Sequence, residues 1–275
     1  MPVSDSSSLI NFLVDHRPLL VLTGAGCSTD SGIPDYRDPS GQWRRQQPVT
    51  HQEFLAAAVV RKRYRARSMV GWPGFQSAVP NPAHQALAAL EQAGYLTCLI
   101  TQNVDGLHQK AGQDRLIEIH GNIAAVVCWE CGARSSRAAL QQRLLDLNPQ
   151  HASQVAPLAP DGDADLTLEN LSGFAVPGCE RCGGILKPDV VFFGDNIPPA
   201  RVSAGMAALG QAEALLVVGS SLMVYSGFRF CRQAKALGKP IAALNRGITR
   251  ADHLLDLKLE QSCAAALSAA AQELS

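Results

Sequence analysis

Strand-length apolar runs alternate with stretches of helical spacing along most of the chain. Residues 18–22, 95–100, 116–119, 214–218 and 240–244 are largely unbroken apolar runs. Runs without polar alternation are the signature of strands buried on both faces. Between them, residues 4–16 place Leu9, Phe12 and Leu13 on one side of a short helix. Residues 52–70 also carry helical spacing, and Trp72-Pro73-Gly74 is expected to end that helix. Asn81 and Pro82 supply a cap and a first helical position, and the helix runs through Leu87 and Leu90 to a stop at Gly94. Residues 186–194 are expected to return to the sheet, 255–259 alternate as a last strand, and a helix from about residue 262 closes the chain. Strands alternating with helices predict an α/β fold with a Rossmann-like, largely parallel, doubly wound sheet.

The ends of the apolar runs carry the polar chemistry. The first run meets Gly24-Ala25-Gly26 and then Ser28. Glycines there let the backbone turn sharply and let a pyrophosphate approach, and Ser28 or Thr29 is placed to cap a short helix whose N-terminus faces phosphate. A full dinucleotide fingerprint is not met: Thr29 stands where the third glycine belongs, and no strand ending in an acid follows. By itself Gly-Ala-Gly is equally compatible with an ordinary strand–turn–helix corner. The following Ile33-Pro34-Asp35-Tyr36-Arg37 opens a proline-punctuated segment, read as a loop that closes over a bound dinucleotide. The second run delivers Gln102-Asn103-Val104-Asp105 and the third delivers His120-Gly121. The runs at 214–218 and 240–244 end in Gly219-Ser220-Ser221 and Asn245-Arg246-Gly247. Polar groups at the carboxyl ends of parallel strands are where open α/β sheets hold ligands.

Composition adds limits. The chain has 275 residues, 47% of them hydrophobic, with 24 basic and 24 acidic side chains. That length and apolar content suit one large domain with a smaller module, and the balanced charge points away from nucleic acid or an anionic membrane as a partner. No apolar run reaches membrane-spanning length, and the first fifteen residues carry no basic side chain, so a cytoplasmic location is expected. Nothing in the sequence indicates an oligomeric state. Four of the eight cysteines form two Cys-x-x-Cys pairs, Cys128/Cys131 and Cys179/Cys182. Four thiolates without an added histidine predict one closed, tetrahedral, structural Zn2+ per chain. The spacer between the pairs is long, and residues 148–176, rich in Pro, Asp, Gly and Ala, read as an insertion. These readings divide the chain into a nucleotide-binding domain, 1–125 and 186–275, with a helical insert at 50–80, and a zinc module at 126–185.

Taken in order, these motifs resemble the sirtuins, the NAD-dependent protein lysine deacylases. The match runs from about Leu19 to Cys263 and includes Lys187-Pro188-Asp189-Val190-Val191-Phe192-Phe193-Gly194. Arg63-Tyr64-x-Ala66-Arg67, Ala159-Pro160-Asp161-Gly162-Asp163 and Val224-Tyr225-Ser226-Gly227 look most like class II, the class that contains mitochondrial sirtuin-4. Tyr36 stands where many members have Phe, and Cys27 occupies a variable position.

The resemblance implies a large Rossmann-like domain and a small zinc module, with NAD and an acyl-lysine protein substrate meeting between them. It implies a nicotinamide end enclosed by Ala25, Ile33, Asn103 and Asp105, and an adenosine end held by Gly219, Ser220, Asn245 and Cys263. Arg37 and Gln102 fall at the phosphates and ribose. Asn103 and Asp105 orient the carboxamide, and His120 is the expected base, a neutral imidazole suiting that task. The products implied are free lysine, nicotinamide and O-acyl-ADP-ribose. The substrate peptide is expected to lie extended between Val191-Phe192-Phe193-Gly194 and residues 222–226. Tyr64-x-x-Arg67 matches in spacing a pair that holds acidic acyl groups in desuccinylating members, although dense basic charge at 61–67 is also what a solvated helix face carries. Protein mono-ADP-ribosylation from the same pocket is the alternative activity. A classical dehydrogenase is disfavoured by Thr29, and a vestigial zinc-ribbon module by the presence of Asn103, Asp105 and His120.

Overall fold

A computed structural model describes residues 5–45, 47–164 and 171–275; Ser4 and part of the 148–176 insertion lie outside the described residues. Helix α1 (Asp5–Asp15) leads into strand β1 (Leu19–Thr23), after which two short 3-10 turns occupy Ala25–Cys27 and Thr29–Ser31. Helices α2 (His51–Ala56), α3 (Ala58–Ser77) and α4 (Pro82–Gln92) precede strand β2 (Leu96–Thr101). A single turn α5 (Leu107–Lys110) leads to strand β3 (Leu116–Glu118). Strands β4 (Gly121–Cys128) and β5 (Arg134–Ser136), helix α6 (Arg137–Leu147) and strand β6 (Leu186–Val190) follow, the three strands forming a second sheet. The chain closes through α7 (Pro199–Gln211), β7 (Ala214–Val218), α8 (Tyr225–Ala236), β8 (Ile241–Leu244), β9 (Leu257–Leu259) and α9 (Cys263–Leu274).

The six strands of the main sheet run in the order β3-β2-β1-β7-β8-β9, all parallel. Side chains along β1 and β7 alternate between the two faces. Leu19, Val21, Leu216 and Val218 pack with α1, α4 and α9, while Leu20, Leu22, Leu215 and Val217 pack with α7 and α8. Both faces are covered, which is why these runs read as unbroken apolar sequence. Strand order reverses between β1 and β7, and the crevice at such a reversal is where doubly wound sheets bind dinucleotides.

Three expectations are corrected. Residues 186–190 do not join the main sheet; β6 pairs antiparallel with β4 at the edge of the three-stranded sheet β5-β4-β6. Pro188 has no N–H for a ladder, so an edge strand is the position open to it. Pro73 does not end its helix, because α3 continues to Ser77. A proline orphans the carbonyl four residues back, and here Gln141 Nε2 donates to Met69 O at 2.8 Å. The segment after β1 is not an α-helix, and neither Ser28 nor Thr29 caps one: Ser28 makes no side-chain capping bond.

Candidate active site

The turns after β1 and β7 interlock. Gly24 N donates to Val218 O at 3.0 Å and Gly26 N to Gly219 O at 2.8 Å. A Cβ on Gly24 would lie 2.7 Å from Ser220 Cβ, and one on Gly219, whose φ is +60°, would lie 2.3 Å from Cys27 N. These glycines therefore bring two strand-end turns into contact, so that both line one crevice. Beside them opens a cavity of about 770 Å³, large enough for a dinucleotide.

Every residue anticipated for the cofactor lines this cavity except Gly247, which packs against Pro39. Val191, Phe192, Phe193, Gly194 and Tyr64 also line it. Arg67 does not: its Nε lies 3.5 Å from Asp163 Oδ2 and donates to Ala164 O at 3.0 Å. The basic stretch is not a solvated face either, since Tyr64 and Arg65 are buried and Arg65 donates to Leu186 O. Residues 222–226 are not all extended. Leu222 has φ +57°, and Tyr225 and Ser226 begin α8. On the opposite wall Phe193 O already accepts from His51 N at 2.9 Å.

Ser28 is a relay. Its hydroxyl accepts from Asn103 Nδ2 at 3.0 Å and donates to Asp105 Oδ2 at 2.7 Å. Asn103 Nδ2 also donates to Gly24 O, and Leu107 N to Asp105 Oδ1. Burial raises the Asp105 carboxyl above its ordinary range, with Leu107 N and Ser28 pulling the other way. Gln102 Oε1 accepts from Ser220 Oγ at 2.7 Å, linking the β2 end to the β7 turn. Arg37 donates to Gly41 O and stacks on Trp43, its guanidinium carbon 3.9 Å from the ring centroid. Tyr36, Trp43 and Phe193 pack edge to face, which ties the 33–50 loop to the far wall.

His120 lines the cavity where β3 passes into β4. Its Nδ1 is 2.8 Å from the Gln102 carbonyl, which only accepts, so Nδ1 carries the proton in the neutral ring. That leaves the Nε2 lone pair to accept from Ser226 Oγ at 2.9 Å. Burial lowers the His120 pKa, as do Arg201 and Arg229, against the opposing pull of the Gln102 carbonyl. The imidazole is thus held neutral, in one tautomer.

Two contributors were not legible as site residues. Pro160 and Asp161, from the insertion, line the cavity. Burial raises the Asp161 carboxyl while Arg67 opposes it. The Ala159–Asp163 motif was visible, but nothing local showed where it folds. Ser226 meets His120 from far along the chain; residues 222–226 were expected beside the substrate peptide, but nothing local placed Ser226 against the base.

The four paired cysteines converge. Cys128 Sγ and Cys182 Sγ lie 3.5 Å apart and Cys131 Sγ and Cys179 Sγ 3.8 Å apart, and all four sulfurs lie within 4.8 Å of one another. Tetrahedral zinc with Zn–S bonds of about 2.3 Å requires sulfur–sulfur edges of about 3.8 Å, so the donor set fits one structural zinc ion. None of the four lines the cavity. A second trio, Cys27, His84 and His108, is also close-set. There Asn81 N donates to His84 Nδ1, which puts the neutral ring's proton on Nε2 and leaves no free lone pair for a metal. Among the described residues no helix is long and apolar enough to cross a membrane.

The model of the Sir2 family matches residues 24–226, the span from the first glycine turn to Ser226. An NAD-dependent protein deacetylase of Xanthomonas axonopodis pv. citri is 57% identical over 268 residues, covering 98% of this chain and 92% of that one. The mitochondrial NAD-dependent protein lipoamidase sirtuin-4 of Bos taurus is 51% identical over 258 residues, covering 93% and 82%. A structure of Sir2 with a p53 peptide and NAD+ superposes with a TM-score of 0.76 at 28% identity, covering 97% of both chains. One of Sir2 bound to acetylated peptide gives 0.78 at 28%, with the same coverage. A family match over residues 24–226, which carry most of the crevice, with relatives more than half identical along nearly all of the sequence, leaves one conclusion: the chain belongs to the Sir2 family.

Proposed function

We propose that this protein is an NAD-dependent protein lysine deacylase, converting an acyl-lysine of a protein substrate, NAD and one water to free lysine, nicotinamide and O-acyl-ADP-ribose. The observation that carries the reading is His120: a buried, neutral imidazole in a 770 Å³ crevice, its Nδ1–H held by Gln102 O and its Nε2 lone pair open to a hydroxyl. The interlocked glycine turns fit a pyrophosphate, since backbone there comes close with no Cβ in the way. Bound NAD supplies an ADP-ribosyl group that passes from nicotinamide to the acyl oxygen.

In this reading Asn103, Ser28 and Asp105 fix the nicotinamide carboxamide. Held by one another, they keep their orientation before the ligand arrives. His120 Nε2 takes the proton of a ribose hydroxyl, using the lone pair that now accepts a hydrogen bond from Ser226. Tyr64, packed against Phe54 and Phe192, forms the wall at the acyl group. The cysteine cluster holds zinc away from the reaction and stabilises the small sheet. The reading puts the enzyme in the cytoplasm, in keeping with thiols spaced for metal in a reducing compartment.

The test is an acetyl-lysine peptide incubated with NAD and analysed by mass spectrometry. O-acetyl-ADP-ribose and deacetylated peptide are expected from wild type, and none from His120→Ala, which still binds NAD. Full activity in a folded His120→Ala protein removes that residue as the base. ADP-ribose attached to protein, with no deacylated product, replaces the reading with ADP-ribosyl transfer.

A further inference from the structure

The first turns of α8 gather positive charge at the mouth of the crevice. Tyr225, 47% exposed, lines the cavity together with Arg229. Three guanidiniums surround its ring. Arg229 Cζ lies 5.2 Å and Arg250 Cζ 6.0 Å from the ring centroid, and Arg232 donates to the Tyr225 hydroxyl at 3.3 Å. Arg250 also stands 4.6 Å from the centroid of Phe228 and donates to Met223 O.

None of the three has a carboxylate within ion-pair distance among the described residues. The neighbouring acids are committed elsewhere. Asp252 bonds Thr249 and Lys258, and Asp256 bonds Ile241 N and faces Lys235. Arg229 Nε is buried without a hydrogen-bond partner. In a chain whose charges balance, three convergent and uncompensated guanidiniums form a local anion-attracting field.

The charge also has a direction. Tyr225, Phe228 or Arg229, and Arg232 stand at successive-turn spacing on α8 and so share one face. That face passes from the cavity mouth to a shallow groove of about 440 Å³ lined by Phe228, Arg232, Lys235, Ala236, His253 and Leu254. A polypeptide leaving the crevice past Tyr225 meets guanidiniums first and then an apolar floor.

We propose that Arg229, Arg232 and Arg250 form a docking strip for acidic side chains that flank the acyl-lysine of the protein substrate. The proposal rests on the deacylase reading for the position of the lysine. Guanidiniums pair with carboxylates in planar, two-point geometry, which suits Glu or Asp on an extended peptide. Exposed pairs are each weak, so the strip acts as a preference summed over several contacts.

The experiment measures binding, which does not require turnover. Dye-labelled acetyl-lysine peptides identical except for Glu, Gln or Lys at the flanking positions are titrated with the protein, and Kd is read by fluorescence anisotropy. At low salt the Glu peptide is expected to bind about tenfold tighter than the Gln peptide. The ratio should fall toward one at about 0.5 M salt, as exposed charges are screened. The combined substitutions Arg229→Gln, Arg232→Gln and Arg250→Gln should bring it within about twofold of one. The single exposed change Arg250→Glu, which tests the strip without a triple variant, should improve the Lys peptide relative to the Glu peptide. A ratio of one in wild type, or one that survives both variants, overturns the proposal. So does a raised KM for NAD in the variants with the peptide ratio intact, because the arginines then serve the cofactor. Charge-dependent binding without NAD-dependent deacylation retires the deacylase reading and leaves the strip.

Discussion

Arg67 and Asp163 clamp the insertion onto helix α3. Arg67 Nε faces Asp163 Oδ2 at 3.5 Å and donates to Ala164 O, while Ala164 N donates back to the Arg67 carbonyl at 3.0 Å. Asp163 is 3% exposed, and burial with the nearby Asp161 raises its carboxyl well above the ordinary range, opposed by Arg67, Arg65 and Arg137. The pairing that spacing alone offered to an acidic acyl group is taken up by the protein's own carboxylate.

Arg67→Met should therefore act on stability and leave selectivity alone. Removing the guanidinium takes away the one cation in ion-pair contact with buried Asp163 among the described residues, at an expected cost of about 2–3 kcal/mol, below the range for a fully buried pair because the Arg67 side chain is partly solvated and Arg65 and Arg137 remain nearby. Urea unfolding of the variant gives that number. Deacylation of acetyl-, succinyl- and glutaryl-lysine peptides should fall by similar factors. A loss confined to the acidic acyl groups would mean that Arg67 reaches the acyl pocket.

Ser226→Ala should move the acid limb of the pH–rate profile upward. The Ser226 hydroxyl donates to the lone pair of His120 and so favours the neutral ring. Without it the imidazole protonates at higher pH, and the base is lost sooner on acidification. In wild type the limb should lie below the ordinary histidine value of about 6.5, since burial depresses His120. An unmoved limb would show that the contact does not bias the base.

His84 should make the protein acid-sensitive. Burial pushes its pKa down to about 4. Its folded value lies below the unfolded one, so the unfolded chain binds more protons between the two and stability rises with pH there. The contribution is whole above about pH 6.5 and declines as the pH falls toward 4, by about 3 kcal/mol across the window. His84→Gln should flatten the dependence of the urea midpoint on pH between those limits. Parallel curves for the two proteins would assign the acid sensitivity to other groups.

Elemental analysis should find one zinc per chain. Cys128→Ala, or prolonged chelation, should unfold the small sheet, because binding energy at a closed thiolate site is folding energy, on the order of several kcal/mol. The sulfur cluster packs with Val126, Leu140, Leu144 and Phe174, so its loss also opens that core. A metal-free protein with an unchanged melting temperature would rule out a structural zinc.

Local rules were enough for much of this molecule. Continuous apolar runs marked the parallel strands, because burial on both faces leaves no polar alternation. Asn81 and Pro82 marked a helix start that the structure keeps, since caps depend on neighbours in sequence. Cys-x-x-Cys spacing marked the sulfur cluster for the same reason, each knuckle being a local turn. What depended on distant partners was not legible. Pro73 sits inside a helix where Gln141, distant in sequence, takes the carbonyl it orphans. Leu186–Val190 changed sheets because the choice lay between two edges brought near by folding, although Pro188 carried the hint. Gly24 and Gly26 looked like room for phosphate, and they are also room for the Gly219–Ser220 turn. The insertion reached the cavity, and Arg67 turned from pocket to clamp, through contacts spanning about a hundred residues of chain. Such pairings are decided by which surfaces pack and which charges must be compensated once buried, and that is a property of the assembled fold.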